Sequence, residues 1–286
     1  MKTKIRQPVL IIHGGAGSTF KKTQRPQRLR HKIRHILNAG YKKLCGSNAL
    51  EAVTYIVSLF EEDAEFNAGR GAVLQTDGMA RLSASVMDGQ TMSFAAVINL
   101  EKIKNPVLVA KALLNEKSRV LAGRGALAFA RQQGFKTSDL RTPRSVELWK
   151  KRRAEGSDTV GACALDREGH LAAATSTGGR GMERPGRVSD SAMPVANFAD
   201  KHCAISATGH GESIIDEGLA LRIGQRMIDG QRIGDAFRKT FREVRSRGRR
   251  MGAIGIDRKG RVAYETTTEV LIYGWRKGRK SHLFKS

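Results

Sequence analysis

The stretch Asp158-Thr159-Val160-Gly161-Ala162-Cys163-Ala164-Leu165-Asp166 is the one around which the fold is organised. The small and apolar residues from Val160 onward predict a buried strand. The turn Arg167-Glu168-Gly169 follows, and His170 to Thr175 predicts a second strand that pairs with the first. The predicted hairpin places Thr159 at the leading edge of its first strand.

A threonine at this position is a candidate nucleophile. Its hydroxyl reacts poorly at neutral pH without a neighbouring base, and the free α-amine of an N-terminal threonine is one base that proteins use. That amine titrates at about pH 7.7 to 8.0 in model peptides, which suits a general base. The chain must then be cut between Asp158 and Thr159, and no histidine is required. The Asp-Thr dipeptide by itself is more typical of a structural turn.

Four further motifs accompany this hairpin. They are His13-Gly14-Gly15-Ala16-Gly17, Phe66-Asn67-Ala68-Gly69, Thr175-Ser176-Thr177-Gly178-Gly179 and Gly186-Arg187-Val188-Ser189-Asp190-Ser191. With Thr-Val-Gly-Ala, they resemble the plant-type asparaginases, Ntn (N-terminal-nucleophile) hydrolases that include isoaspartyl peptidases. The resemblance covers nearly the whole chain and is strongest over residues 158–212. It is weakest in residues 18–46 and after residue 265.

The resemblance implies an α+β fold, a four-layer αββα sandwich of the Ntn-hydrolase type. It implies a single domain over residues 1–286 that cleaves itself into an α subunit (1–158) and a β subunit (159–286). The charged residues from about 141 to 158 are then expected to form an exposed linker. The usual assembly of such proteins is an (αβ)2 dimer.

The resemblance also implies catalytic roles. Thr159 would be the nucleophile and, through its freed amine, the base, while Thr177 would hydrogen-bond its hydroxyl or amine. The Thr208 hydroxyl and the Gly209 amide would form the oxyanion hole. Hydrolysis of a β-aspartyl amide would then proceed through a covalent β-aspartyl ester on Thr159, and would release ammonia from L-asparagine or an amino acid from an isoaspartyl dipeptide.

Three residues would bind the substrate. The resemblance implies that Arg187 holds the α-carboxylate through two hydrogen bonds, which the guanidinium geometry permits. Asp190 would pair with the α-ammonium, and Gly211 would add a backbone contact. On their own, Arg187 and Asp190 are more typical of a surface ion pair. Because glycosylasparaginases also carry aspartate at the position of Asp158, hydrolysis of a glycosylated asparagine is an alternative.

The loop from Glu61 to Gly71 is rich in acids and glycines. The resemblance implies that Asn67 supports the site and that main-chain carbonyls in this loop bind a structural sodium ion, although an ordinary turn is the alternative. Hard cations prefer such oxygen ligands. The implied ligands are Phe60, Glu61, Asp63, Phe66, Ala68 and Arg70. No other cofactor is expected.

The net charge of +24 and a pI near 10.6 are more typical of nucleic-acid binders than of amidohydrolases. A second hypothesis is therefore a basic, enzyme-derived protein that binds RNA or another anionic partner. The sequence carries no aromatic-interleaved RNA motif, helix-turn-helix or paired-ligand zinc pattern. A solvated basic surface with nonspecific, salt-sensitive contacts is the simpler interpretation.

The chain has no apolar run of about 18 residues, so no membrane contact is expected. Its first residues lead straight into a predicted strand rather than a signal peptide. Cys45, Cys163 and Cys203 are too widely spaced to indicate a disulfide framework or a zinc site. The sequence thus predicts a cytoplasmic protein with reduced thiols, and the family resemblance implies a small-molecule β-aspartyl substrate.

Hydrophobic periodicity predicts the other elements. Helices are expected at 27–44, 48–60, 106–115, 124–133, 143–153, 216–228 and 235–245, and strands at 8–13, 71–74, 80–87, 93–100, 201–208, 252–257, 262–265 and 270–273. Two places depart from the family pattern. Ser83 stands where many members have aspartate, and the segment Thr266 to Val270 replaces an Asn-Thr-x-Gly-Met-like element, which affects the expected wall of the substrate pocket.

Overall fold

The computed structural model describes residues 6–17, 25–152 and 159–285. The strands in these ranges are β1 (Val9–Gly17), β2 (Leu82–Asp88), β3 (Ser93–Leu100), β4 (Val120–Ala122), β5 (Val160–Leu165), β6 (Leu171–Thr177), β7 (Asn197–Ala199), β8 (Cys203–Gly209), β9 (Met251–Asp257), β10 (Val262–Thr266), β11 (Val270–Lys277) and β12 (Lys280–Leu283). The helices are α1 (Arg25–Cys45), α2 (Ala49–Glu62), α3 (Pro106–Leu113), α4 (Gly123–Gln132), α5 (Pro143–Lys150), α6 (Gly211–Glu217), α7 (Leu219–Ile228) and α8 (Ile233–Ser246).

The described strands form two sheets. The larger has the order β12-β11-β1-β5-β6-β2-β3-β4, and the smaller has the order β10-β9-β8-β7. Every residue of β5 and β6 is buried. These two strands lie at the middle of the larger sheet, with a neighbouring strand on each side and a packed layer on each face. Most of their residues are small, mainly alanine, which suits a strand that is covered on both faces.

Helices α1 to α4 pack on one face of the larger sheet, and the smaller sheet packs on its other face. Helices α7 and α8 cover the outer side of the smaller sheet. This arrangement confirms the predicted α+β fold with four αββα layers. The two sheets approach closely at Gly161, where a Cβ atom would collide with Ser206 Oγ and His13 Nε2. A glycine is therefore required at position 161, the third residue of the Thr-Val-Gly-Ala motif.

Two predicted elements are wrong. The strand expected at 71–74 is absent, because Gly69–Gly71 form a 3-10 turn and the chain folds so tightly that a Cβ on Gly71 would overlap the Phe66 carbonyl oxygen. The single helix expected at 216–228 is two helices, because Gly218 has φ of 56° and ends α6. Strands β4, β7 and β12, three or four residues each, were not predicted, since such short runs carry little periodicity.

The stretch expected to be a linker begins as a helix. Thr142 Oγ1 accepts a hydrogen bond from the Ser145 amide at 3.1 Å, and the Ser145 side chain accepts one from the Thr142 amide, which together form a capping box for α5. Trp149 of this helix contacts Gly78 and donates a hydrogen bond to the Thr76 carbonyl. Residues 153–158, including Asp158, lie outside the described ranges. No helix within those ranges is long and apolar enough to cross a membrane.

Candidate active site

Three threonines from three strands meet between the two sheets. Thr159 directly precedes β5, Thr177 ends β6, and Thr208 lies near the end of β8. The pairing of Val160 with Ser176 in the hairpin brings Thr159 beside Thr177 at the next position. All three threonines are buried.

The threonine hydroxyls contact one another through weak hydrogen bonds. Thr159 Oγ1 donates to Thr177 Oγ1 at 3.4 Å, and Thr177 Oγ1 also accepts from the Gly179 amide at 3.1 Å. Thr208 Oγ1 donates to the Thr159 carbonyl oxygen at 3.4 Å. The structure therefore brings together the predicted nucleophile, its hydroxyl partner and one of the two predicted oxyanion donors. The other, Gly209, is the last residue of β8 and has φ of 133°.

Asn67 holds the turn that follows Thr177. Its Nδ2 donates to the Gly179 carbonyl at 2.5 Å, its carbonyl accepts from the Gly178 amide at 2.8 Å, and its Oδ1 accepts from the Val73 amide at 3.1 Å. A Cβ on Gly178 would lie 2.5 Å from the Ala72 Cβ and 2.6 Å from Asn67 Oδ1. The Gly-Gly pair is therefore needed for the close approach of this loop.

A charged cluster lies at the predicted substrate-binding residues. Arg187 Nε donates to Glu212 Oε1 at 3.1 Å, and its Nη1 lies 2.9 Å from Glu183 Oε1. A Cβ on Gly211 would lie 2.5 Å from both Arg187 Nη2 and Asp190 Oδ1. Both groups therefore approach Gly211 closely, and Arg187 forms its ion pairs with Glu183 and Glu212 rather than the surface pair with Asp190 that spacing alone favoured.

Arg187 Nη2, Asp190 Oδ2 and Glu183 Oε1 are buried without a hydrogen-bond partner among the described residues, and Glu183 Oε1 is held in the ion pair with Arg187 Nη1, which leaves the first two. Arg187 Nη2 is 3.0 Å from Glu212 Oε1, but the geometry is not that of a hydrogen bond. Asp190 Oδ2 is also buried and unpartnered, although Oδ1 accepts from the Ser189 hydroxyl at 3.2 Å. Because buried polar groups in proteins are nearly always paired, these two atoms are suited to a ligand that carries both a carboxylate and an ammonium.

Burial and neighbouring charges set the ionisation of the cluster. Burial raises the pKa of Asp190 to about 6, against the opposing effects of the Arg187 charge and the Ser189 hydroxyl. Burial also raises the pKa of Glu183, with Arg187 again opposing. For Glu212, burial is outweighed by its own backbone amide and by Arg187 and Arg180, so its pKa lies below the usual value.

A buried histidine lies behind the nucleophile. His13 Nε2 is 2.8 Å from Ser206 Oγ, which is 2.8 Å from Thr175 Oγ1. Burial lowers the pKa of His13 to about 3, and the nearby Thr159 backbone opposes this shift only weakly. His13 therefore stays neutral at physiological pH. The sequence motif that contains His13 led to no prediction for this side chain. A histidine within an apolar strand could have indicated a buried polar contact.

The ion pairs around Arg187 were also missed. Glu183 precedes Arg187 by four residues, a spacing that could have indicated the pair, whereas the bond from Arg180 Nη1 to Glu212 Oε2 at 3.0 Å joins residues 32 positions apart. His210 is partly exposed and caps α6 through its Nδ1, which accepts from the Ser213 amide at 3.3 Å.

The two departures from the family pattern have local explanations. Ser83 Oγ accepts a hydrogen bond from the Asn99 amide at 3.3 Å, where the β2–β3 pairing is irregular. In the C-terminal segment, Thr267 Oγ1 donates to the Arg249 carbonyl at 2.6 Å and Thr266 Oγ1 is 2.7 Å from Thr268 Oγ1. Hydroxyl contacts therefore order the connection between β10 and β11.

The loop predicted to bind sodium offers main-chain oxygens. Among the described residues, no group of three or more His, Cys, Asp or Glu side chains is arranged to hold a metal ion. The carbonyls of Phe60, Asp63, Phe66 and Ala68 each accept one backbone amide within the loop. Each carbonyl oxygen keeps a second lone pair, so the donor chemistry fits a sodium ion.

Comparison with known proteins shows the family of this chain. The family model described as Asparaginase matches residues 6–284. The chain therefore belongs to the asparaginase family. It is 38% identical to an isoaspartyl peptidase/L-asparaginase of Nostoc sp., covering 98% of this chain and 95% of the relative. It is 36% identical to an isoaspartyl peptidase of Salmonella typhimurium (95% and 96% covered) and 34% identical to a plant-type L-asparaginase of Pyrobaculum calidifontis (94% and 96% covered).

Proposed function

We propose that this protein hydrolyses β-aspartyl amide bonds, those of isoaspartyl dipeptides and of L-asparagine. The names of its relatives describe this class of activity. The observation that carries the proposal is that Arg187 Nη2 and Asp190 Oδ2 are buried and have no hydrogen-bond partner among the described residues. A β-aspartyl group ends in an α-carboxylate and an α-ammonium, which match these two atoms in charge.

The proposed chemistry uses Thr159 as nucleophile. Its hydroxyl oxygen attacks the β-carbonyl carbon while its proton passes to the freed α-amine of the same residue. Thr208 Oγ1 and the Gly209 amide stabilise the oxyanion, and Thr177 orients the attacking hydroxyl. The amine then protonates the departing nitrogen, which leaves a β-aspartyl ester on Thr159. Water hydrolyses that ester and restores the enzyme.

The α-amine requires cleavage before Thr159. We propose that the Thr159 hydroxyl attacks the carbonyl carbon of Asp158, so that the peptide nitrogen leaves as the free α-amine of Thr159 and an ester joins the two residues. Water then hydrolyses this ester, and the chain separates into residues 1–158 and 159–286. Both subunits contribute to the same sandwich, since β1 from the first pairs with β5 and β11 from the second. The two subunits would therefore remain together as one domain after cleavage.

Three further features belong to the proposal. A sodium ion bound by carbonyls of the loop from Phe60 to Arg70 would stiffen the segment that carries Asn67. The assembly is an (αβ)2 dimer, as the family resemblance implies. The location is cytoplasmic, which agrees with the free thiols of Cys45, Cys163 and Cys203.

Intact mass spectrometry tests the self-processing step. The wild-type protein and a Thr159→Ala variant are incubated in parallel. Cleavage between Asp158 and Thr159 into two fragments is expected in the wild type only. Ammonia release from L-asparagine and cleavage of a β-aspartyl dipeptide and of a glycosylated asparagine then define the substrate. An uncut wild-type chain without activity on any of the three would refute the proposed function.

A further inference from the structure

The positive charge of this chain is concentrated at its two ends. Twelve of the 51 Lys and Arg residues, and none of the 27 Asp and Glu residues, lie within residues 1–50. Five more Lys and Arg, again without an acid, lie within residues 270–286. These segments therefore hold 17 of the 24 net positive charges. The rest of the chain carries 34 basic and 27 acidic residues and is far closer to balance.

The described parts of these two ends, residues 6–17, 25–50 and 270–285, pack against each other. Strand β1 pairs with β11, and α1 packs on β11 and β12. Arg276 of β11 donates from Nη1 to Asn38 Oδ1 of α1 at 2.7 Å, and its guanidinium lies 4.7 Å from the centre of the Tyr41 ring. Arg30 of α1 donates from Nη1 to the Phe284 carbonyl at 2.6 Å. The two acid-free ends thus share one surface.

Several exposed cations on this surface, Lys280 and Lys285 among them, have no ion pair within the ranges that the structure describes. Four of these cations, Arg34, Lys42, Lys43 and Arg279, form what we call the α1 cationic face. Arg34 and Lys42 lie one turn to either side of Asn38, on the same side of the helix. Because Asn38 holds Arg276, the charge continues from the helix onto β11.

The residues exposed on α1 indicate which class of anionic partner fits this surface. The apolar side chains of α1 that are described are all turned inward or largely covered, so its exposed positions are polar: Gln27, Arg28, His31, Arg34, His35, Asn38, Lys42 and Lys43. A helix that binds a membrane surface inserts an apolar face, and a protein interface has an apolar core. A phosphate backbone requires only cations, and α1, 21 residues long, extends over about 30 Å.

We propose that the α1 cationic face binds the phosphate backbone of double-stranded nucleic acid without reading its bases. Of the proposed catalytic threonines, Thr159 directly precedes β5, Thr177 ends β6 and Thr208 lies in β8. None of them is on the α1 cationic face. Binding would hold an amidohydrolase at a polyanion without occupying its active site. The inference goes beyond the proposed function and does not depend on it.

Fluorescence anisotropy with two labelled 24-base-pair DNA duplexes of unrelated sequence tests the proposal. One variant carries R34Q, K42Q, K43Q and R279Q. The matched control carries K117Q, R119Q, R131Q and K136Q, four exposed cations near β4 at the opposite edge of the larger sheet. Each phosphate contact contributes about −0.9 to the slope of log K against log salt, so the first variant should lower the slope's magnitude by about 3 to 4.

The wild type should bind both duplexes with similar Kd. The control variant should have a slope of log K against log salt that differs from the wild-type slope by no more than about 0.9, the contribution of one phosphate contact. Equal losses in the two variants would mean that the charge acts diffusely, and would overturn the proposal. So would an absence of wild-type binding at about 0.1 M salt, or binding to phosphatidylserine vesicles but not to either duplex. Circular dichroism and thermal unfolding verify that both variants fold.

Discussion

The hydroxyl oxygen of Thr177 lies 3.4 Å from that of Thr159 and 3.1 Å from the Gly179 amide nitrogen. It therefore links Thr159, the proposed nucleophile, to the glycine turn that Asn67 holds in place. The Thr159 hydroxyl and the Gly179 amide both donate hydrogen bonds to the Thr177 oxygen. The Gly179 amide holds the Thr177 hydroxyl in position, and the Thr177 hydroxyl in turn orients the Thr159 hydroxyl. This arrangement leads to the first prediction.

Thr177→Val should lower kcat by about a hundredfold and leave KM nearly unchanged, because it removes the oxygen that orients the nucleophile and keeps the side-chain shape. Steady-state kinetics on L-asparagine measures this effect. Thr54→Val is the matched control, since Thr54 is also buried but its hydroxyl bonds to the Leu50 carbonyl within α2. Equal effects of the two substitutions on kcat would contradict the assigned role.

Gly211→Ala should raise KM by about tenfold or more, a loss of about 1.4 kcal/mol in substrate binding. The added methyl would lie 2.5 Å from both Arg187 Nη2 and Asp190 Oδ1, so both groups must move. Gly125→Ala in α4 is the control, because no atom lies within 4 Å of its added methyl. A KM for Gly211→Ala equal to that of the control would show that these groups do not bind substrate.

The activity should depend on the ionisation of Asp190. Its pKa is raised to about 6 by burial, so kcat/KM should fall about tenfold per pH unit below pH 6 as the carboxylate loses its charge. Asp190→Asn should lower kcat/KM at neutral pH and remove this acid limb. A pH profile of the two proteins decides the matter, and an unchanged acid limb in the variant would assign it to another group.

The same substitution should stabilise the fold. A carboxyl whose folded pKa lies above its unfolded value of about 3.8 costs stability as pH rises from 4 to 6, and at pH 7 the cost is at most about 3 kcal/mol. Asp190→Asn should therefore raise the free energy of unfolding at pH 7 more than at pH 4. Urea unfolding at the two pH values measures the difference.

His13 predicts the opposite dependence on pH. Its pKa is about 3 in the folded chain against about 6.5 when unfolded, so its effect is to lower stability as pH falls from 6.5 toward 3. One such group contributes about 1.4 kcal/mol per pH unit. The stability advantage of the wild type over His13→Gln should thus shrink by about 2 kcal/mol between pH 7.5 and 5.0 in urea unfolding. A constant difference would mean that the pKa of His13 is the same in the folded and the unfolded chain.

The elements that the sequence predicted best are those with strong local patterns. The apolar β5–β6 hairpin, the amphipathic α1 and the Asn48-capped α2 all lie close to their predicted positions. The strand expected at 71–74 failed because the tight turn at Gly69–Gly71 depends on contacts with residues 61 to 66. The helix break at Gly218 is a conformational property of a single glycine, which periodicity does not register.

The sequence by itself determined the αββα order of elements, the three threonines and the glycines that let loops approach them, because these follow from local patterns and motifs. Only the tertiary structure decided that Arg187 also pairs with Glu212, 25 residues away, and not with Asp190. It also decided that His13 contacts Ser206, 193 residues away on the other sheet. Such contacts depend on how two sheets pack face to face, and no spacing along one strand encodes the distance between them.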